Sequence, residues 1–264
     1  MDLKTFMMTI KRFSSHIVMK LLVMPMALLL FGVTYGSRLG KVNVLGTFIL
    51  LIFVVLSQFL EHYFYLQQTK KGTINWQSAY PIIALNVLLI LLMFPLTNAI
   101  FSILALTYFV SILLVYGFFK LRGTLYFIVI QVFLKGLVLT VLSVFMQINF
   151  ISYELIFATV PILFLLLFYF SEIEKLEVKQ YRALHASLSS LNLLSLLGWL
   201  GTLSSPIALM RLVLNNYFML LLWGIAGAIM LKVMLDNKKK TQFAKQKNFM
   251  ATIFSCVILI YCFI

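Results

Sequence analysis

The chain has 264 residues, of which 63% are hydrophobic and only 11% charged, with a mean hydropathy of +1.06. Soluble domains carry about 25% charged residues, and a chain this apolar cannot fold in water without leaving large hydrocarbon faces exposed. The formal charge of +14 comes from 21 Lys and Arg against 7 Asp and Glu. Those cations lie in short breaks between apolar runs, which points to anionic lipid headgroups and away from nucleic acid.

Apolar runs near the roughly 20 residues needed to cross a bilayer as a helix recur along the chain. They lack the ten-residue or so alternation of barrel strands. Residues 1–16 mix Phe6, Met7, Met8 and Ile10 with Lys4, Lys11 and Arg12, the composition of an interfacial lead-in helix. Basic residues followed by Leu21–Phe31 have the outline of a signal peptide, but no small-x-small cleavage site follows, so a retained first helix is expected. Spans are expected near 17–36, 42–66, 80–97, 99–119, 124–146, 151–171, 187–204, 207–233 and 249–264. The fold class is therefore all-α, a polytopic helical bundle of about nine transmembrane helices. No period of 20–50 residues appears, so residues 1–264 read as one domain. Its two most polar connections are expected near 67–79 and 172–186.

Nine spans put the two ends of the chain on opposite sides, and the basic residues say which is inside. Lys4, Lys11, Arg12, Lys70, Lys71, Lys120, Arg122, Lys175, Lys179, Arg182 and the run Lys238–Lys240 fall on one side; Arg38, Lys41 and Arg211 fall on the other. The bias places the N-terminus and both polar connections in the cytoplasm and Ile264 outside, in what is expected to be a bacterial cytoplasmic membrane.

Four polar constellations stand out. Lys135 lies about eleven residues into the fifth span, near the bilayer centre at ~1.5 Å per residue. A lone charge there costs about 2.5–3.5 kcal/mol on insertion scales, so it must face a cavity or a partner. No acid is expected at its depth: Glu61 is placed near the inner end of span two and Glu154 at the outer start of span six. Asn86 or Gln131 is expected to supply a carbonyl oxygen; the alternative is a neutral or snorkelling lysine. The other constellations are Gln58–Trp76, the segment Val115-Tyr116-Gly117-Phe118-Phe119-Lys120 with Arg122, and Phe168–Ser189. In the last, helical spacing puts Lys175, Lys179 and Arg182 on one face with Glu172, while Glu174 and Glu177 point elsewhere. His16, His62 and His185 are too scattered for a zinc site. Cys256 and Cys262, six apart in the last span, imply no disulfide framework. No nucleotide-binding loop is present.

Nine helices with polar cytoplasmic connections after the second and sixth resemble the UbiA superfamily of intramembrane prenyltransferases. The Tyr116 to Arg122 segment is similar to the family's Tyr-x-x-x-Lys-Arg stretch, with Gly136 following at about the family's distance. Gln58–Tyr65 and Ser171–Lys179 stand where the family has its two aspartate-rich motifs. The resemblance implies a site for an isoprenyl diphosphate, with Tyr116, Lys120, Arg122, Lys175, Lys179 and Arg182 as candidates for binding the substrate. It also implies Mg²⁺ ligands, for which Glu61, Glu172, Glu174 and Glu177 are the carboxylates on hand. The departures are substantial. His62 and Tyr65 occupy aspartate positions in the first motif, and Lys175 and Lys179 do so in the second. A charged lysine cannot ligate Mg²⁺, which needs hard oxygen ligands.

The resulting expectation is a divergent UbiA-like protein that binds an isoprenoid or other lipid diphosphate, with Mg²⁺ and prenyl transfer only if the enzyme reading holds. Lys175 and Lys179 either clasp the anion directly or belong to a solvated loop obeying the positive-inside rule. Two other classes fit the composition: a membrane component of a transporter or exporter, and an immunity or assembly protein acting through contacts alone. Membrane lipids are the expected partners in all three.

Overall fold

A computed structural model describes residues 17–71, 74–119, 121–180, 187–209, 217–235 and 243–263. Among the described residues there is no strand, and nine helices account for nearly all of them. They are α1 (Ile17–Leu39), α2 (Val44–Lys71), α3 (Trp76–Leu96), α4 (Ala99–Phe118), α5 (Leu125–Ile148), α6 (Tyr153–Gln180), α7 (Leu188–Leu209), α8 (Tyr217–Leu235) and α9 (Phe243–Phe263). Five of these, α2 to α6, are long and apolar enough to cross a membrane, and shorter apolar stretches occur at Val23–Leu39, Leu221–Leu235 and Phe249–Cys262. The interfacial lead-in expected at 1–16 lies outside the described residues.

Helix starts follow side-chain chemistry. Asn75 Oδ1 accepts from Gln77 N at 3.2 Å to open α3, Asn98 Oδ1 from Phe101 N at 3.1 Å to open α4, and Thr124 Oγ1 from Phe127 N at 3.3 Å to open α5. Each satisfies a backbone donor that a helix start leaves free. Asn149, at φ 56°, ends α5 in the left-handed conformation that Asn tolerates.

Two helices depart from the α-helical winding. The last part of α4 (Leu113–Phe118) and the middle of α5 (Val132–Val138) are π-helical, each containing a glycine, Gly117 and Gly136. Side chains take up carbonyls around these wider turns: Gln68 Nε2 donates to Tyr116 O and Thr140 Oγ1 to Gly136 O.

α5 is the central helix: 72% of its apolar window is buried inside the bundle, against 28% for α3. It is flanked by α6, and α6 packs along α7 in the most extensive pairing of the fold. At Gly198 a Cβ would stand 2.5 Å from Phe168 N and 2.9 Å from Phe164 O, so the α6 and α7 backbones approach to a distance only glycine allows. Close backbone approach through small residues is how helices associate in lipid, where burial of apolar area gives no drive. α1 lies on the second half of α5, where Ser143 Oγ donates to Leu29 O at 2.9 Å. α9 covers α1 and α6 and is tied down by Tyr261 OH to Ala158 O at 2.9 Å and by Arg38 Nη2 to Cys262 O at 2.8 Å.

The sixth helix corrects the sequence reading. Instead of ending near 171 and opening into a solvated loop, α6 continues unbroken to Gln180. Glu172, Glu174, Lys175 and Glu177 are buried along it. The second helix likewise runs to Lys71, beyond the expected end near 66, so its connection to α3 is short.

Candidate functional site

On α2, Gln58, Glu61 and Tyr65 fall at intervals of three and four residues and so share one face. That face looks onto the two π-helical segments and α6. At the inner level, Lys135 Nζ lies 2.7 Å from Glu61 Oε2 and donates to Gln58 Oε1 at 3.3 Å. Tyr116 OH donates to the same Glu61 Oε2 at 3.1 Å, and Gln58 Nε2 to Glu61 Oε1 at 3.3 Å. The Phe170 ring of α6 closes the far side, its centroid 5.5 Å from Lys135 Nζ. Both π-helical segments deliver a residue to this node: Tyr116 precedes Gly117, and Lys135 precedes Gly136. Such wide turns re-aim side chains and recur at functional sites.

Here the expectation for Lys135 is overturned. Its partner is an acid, Glu61, and neither Asn86 nor Gln131 supplies the oxygen. Asn86 accepts from Ser57 Oγ at 3.1 Å instead, and Gln131 makes no hydrogen bond at either amide atom although its side chain is fully buried. The depths match because α2 extends to Lys71. Glu61 lies ten residues before that end and Lys135 ten residues after the start of α5 at Leu125, each about 15 Å in.

One level outward, the α4–α5 connection brings in Arg122. Its Nε and Nη2 reach Glu177 Oε2 and Oε1 of α6 at 3.0 and 2.5 Å, and its Cζ stands 3.5 Å above the Tyr65 ring of α2. A two-pronged guanidinium–carboxylate pair stacked on an aromatic ring is a geometry that lysine cannot copy. Burial alone would lower the pKa of Arg122. The Glu177 carboxylate, with Tyr116 and Tyr65, more than reverses this and holds it above its ordinary value.

A third pair lies along α6. Lys175 is ion-paired with Glu172, whose Oε1 also accepts from Ser195 Oγ of α7 at 2.5 Å. Glu174 is buried on the same helix. The structure thus gathers Glu61, Tyr65, Tyr116, Arg122, Lys135 and Glu177 from four segments far apart in sequence, and sets Glu172 and Lys175 on the α7 side. Lys120, Arg182 and the side chain of Lys179 lie outside the described residues.

Glu61, Glu172 and Glu177 each hold a cation, and among the described residues no three of His, Cys, Asp or Glu converge as a metal site. In this arrangement the donor set does not fit Mg²⁺, because each paired carboxylate would have to give up an ammonium or guanidinium before it could bind a second cation. Three members of the site lay beyond the sequence reading: Ser195, Phe170 and the stacking role of Tyr65. For Tyr65 the signal was present, in its spacing four residues after Glu61.

No protein-family model matches this chain, and neither does any curated protein or solved structure. Its described residues form a helical bundle, with five helices long and apolar enough to span a membrane and paired charges buried among them.

Proposed function

We propose that the protein is an integral membrane protein of UbiA-like design that recognises the diphosphate end of an isoprenoid or related lipid. The single observation that carries this reading is Arg122, which joins three polar stretches: it lies in the α4–α5 connection, stacks on Tyr65 of α2 and forks onto Glu177 of α6. These are the stretches that the UbiA resemblance assigns to diphosphate recognition, and their meeting at one place is what that assignment requires. Arg122 offers the two parallel N–H donors that suit a phosphate as well as a carboxylate. The lipid tail would lie along the outward apolar faces of the bundle.

In this reading binding does not depend on metal, and Mg²⁺ enters only through a rearrangement that frees a carboxylate. The N-terminus is placed in the cytoplasm of a bacterial cell. Binding of geranylgeranyl diphosphate by the purified chain tests the proposal. It should be lost in Arg122→Gln, and unchanged affinity in that variant would refute it. Pyrophosphate released from labelled polyprenyl diphosphate with Mg²⁺ and an acceptor would extend the reading to prenyl transfer.

A second reading, a membrane component of a transporter, is favoured by one feature: the Glu61–Lys135 pair deep in the bundle. Ionisable pairs at such depth mark ion and substrate pathways in transport proteins. A partner ATPase that co-purifies with the chain and loses its coupling in Lys135→Met would favour this reading over the first.

A further inference from the structure

We infer that the Glu61–Lys135 node is a binding site for a membrane-soluble carboxylic acid, such as a fatty acid, which enters uncharged, gives its proton to Glu61 and takes the Lys135 ammonium as its own counter-charge. The inference rests on the second reading above and gives it a substrate class. The node is neutral as it stands, one carboxylate against one ammonium 2.7 Å away, with side chains only 7% and 5% exposed. A proton alone would leave Lys135 uncompensated inside the bundle, and an anion alone would add an uncompensated negative charge. Either one strands a buried charge. A proton and an anion together keep the balance, and a neutral acid brings both in one molecule. Such an acid also moves through hydrocarbon without carrying a charge into it.

The donors are in place. Lys135 Nζ, Tyr116 OH and Gln58 Nε2 all meet the Glu61 carboxylate, and they are the set that a ligand carboxylate needs. The O–H bond of the acid breaks, its proton goes to Glu61, and the carboxylate left behind pairs with Lys135; nothing is oxidised or reduced. Protonated Glu61 retains acceptor capacity for Tyr116 or Gln58. A second observation singles out this part of α5. Gln131, four residues before Lys135, is fully buried and both its amide atoms lack a partner. An unpaired buried amide is costly, and the acceptor and donor it holds in reserve match the O–H and C=O of a carboxyl group. The outer face of the same stretch meets lipid, since Val129 and Phe133 are both more than half exposed.

The test measures octanoate binding to the full chain in detergent, with octanol as the probe that shares the tail. Between about pH 6 and about pH 8 free octanoate is ionised, so binding takes up one proton from water and the wild-type Kd should rise about tenfold per pH unit. Octanol should show no such slope. Other titratable groups surround the pair: α4 brings Tyr108 and Tyr116 near Glu61, the α4–α5 connection and α6 bring Arg122 and Glu174 near Tyr116, and α3 faces α2 with the neutral Asn86. His62, next to Glu61 on α2, titrates in this range. Its ring lies 6.3 Å from that of Tyr65, and His62→Gln should keep the slope. In Glu61→Gln the ammonium already lacks its counter-charge, so octanoate binds without a proton: the slope vanishes and affinity at about pH 8 rises about tenfold or more. Gln131→Leu should weaken binding about tenfold at every pH. A flat profile in the wild type overturns the inference, and that measurement needs no variant to fold. So does a slope that octanol shares, that survives in Glu61→Gln or that disappears in His62→Gln, and so does unchanged affinity in Gln131→Leu. None of these measurements involves an ATPase, so the transporter reading stands or falls separately, on whether a partner's coupling depends on Lys135.

Discussion

Replacing Lys135 by Met removes an ammonium from the bundle interior and leaves its bulk nearly intact. Glu61 keeps its hydrogen bonds from Tyr116 (3.1 Å) and Gln58 (3.3 Å) but loses its counter-charge. Removing one partner of a buried pair costs about 3–5 kcal/mol. The two surviving hydrogen bonds place this case near the lower bound, about 3 kcal/mol. Glu61→Gln leaves the ammonium facing Gln58 Oε1 at 3.3 Å and the Phe170 ring at 5.5 Å, and a similar loss is expected. With both changes no unpaired charge remains, and a glutamine at 61 still accepts from Tyr116. The double variant should therefore stand within about 1 kcal/mol of wild type, since removing a whole buried pair is often neutral. Reversible unfolding by SDS in mixed micelles, followed by tryptophan fluorescence, measures all four proteins. The expected coupling energy is at least about 3 kcal/mol. A double variant that merely adds the two single losses would refute the pairing.

Three further substitutions test other contacts with the same assay. Gly198→Ala places a methyl group 2.5 Å from Phe168 N, against backbone that cannot turn aside, and should cost about 1–3 kcal/mol or more; a neutral result would contradict the α6–α7 approach. Gln131→Leu removes a buried amide that makes no hydrogen bond and should be neutral or stabilising by up to about 2 kcal/mol, whereas a clear loss would reveal a partner. Arg122→Lys gives up both the fork and the stack and should cost about 1.5–3 kcal/mol; a loss below about 0.5 kcal/mol would place the pair among weak surface bridges.

The five helices long and apolar enough to cross a membrane were legible because hydropathy is a local property, summed over about 20 residues and indifferent to what the helix meets. The fate of the charges was not local. Glu61 finds Lys135 across 74 residues and Arg122 finds Glu177 across 55. Read alone, Glu172 to Lys179 has the alternating charge of a solvated helix, and the burial of Glu172 and Glu177 is explained only by Ser195 on α7 and Arg122 in the α4–α5 connection. With α2 ending near 66, as its hydropathy suggests, Lys135 has no acid at its depth. The five extra residues to Lys71 set Glu61 more than two turns inside the helix end. The π-helical turns leave no hydropathy signal, and the glycines at 117 and 136 were their only trace. The UbiA resemblance offers Glu61, Glu172 and Glu177 as metal ligands, whereas in the structure they are the partners of Lys135, Lys175 and Arg122.

A shared site at Arg122 requires the polar ends of α2 and α6 to face the same water. Cys256 and Cys262 changed to Ser give a background in which single cysteines at the exposed positions 77, 187, 41 and 150 can be probed in sealed membranes with an impermeant maleimide. Positions 77 and 187 should label together from one side, and 41 and 150 together from the other. Labelling of 77 and 187 from opposite sides would contradict the topology, and with it the shared site at Arg122.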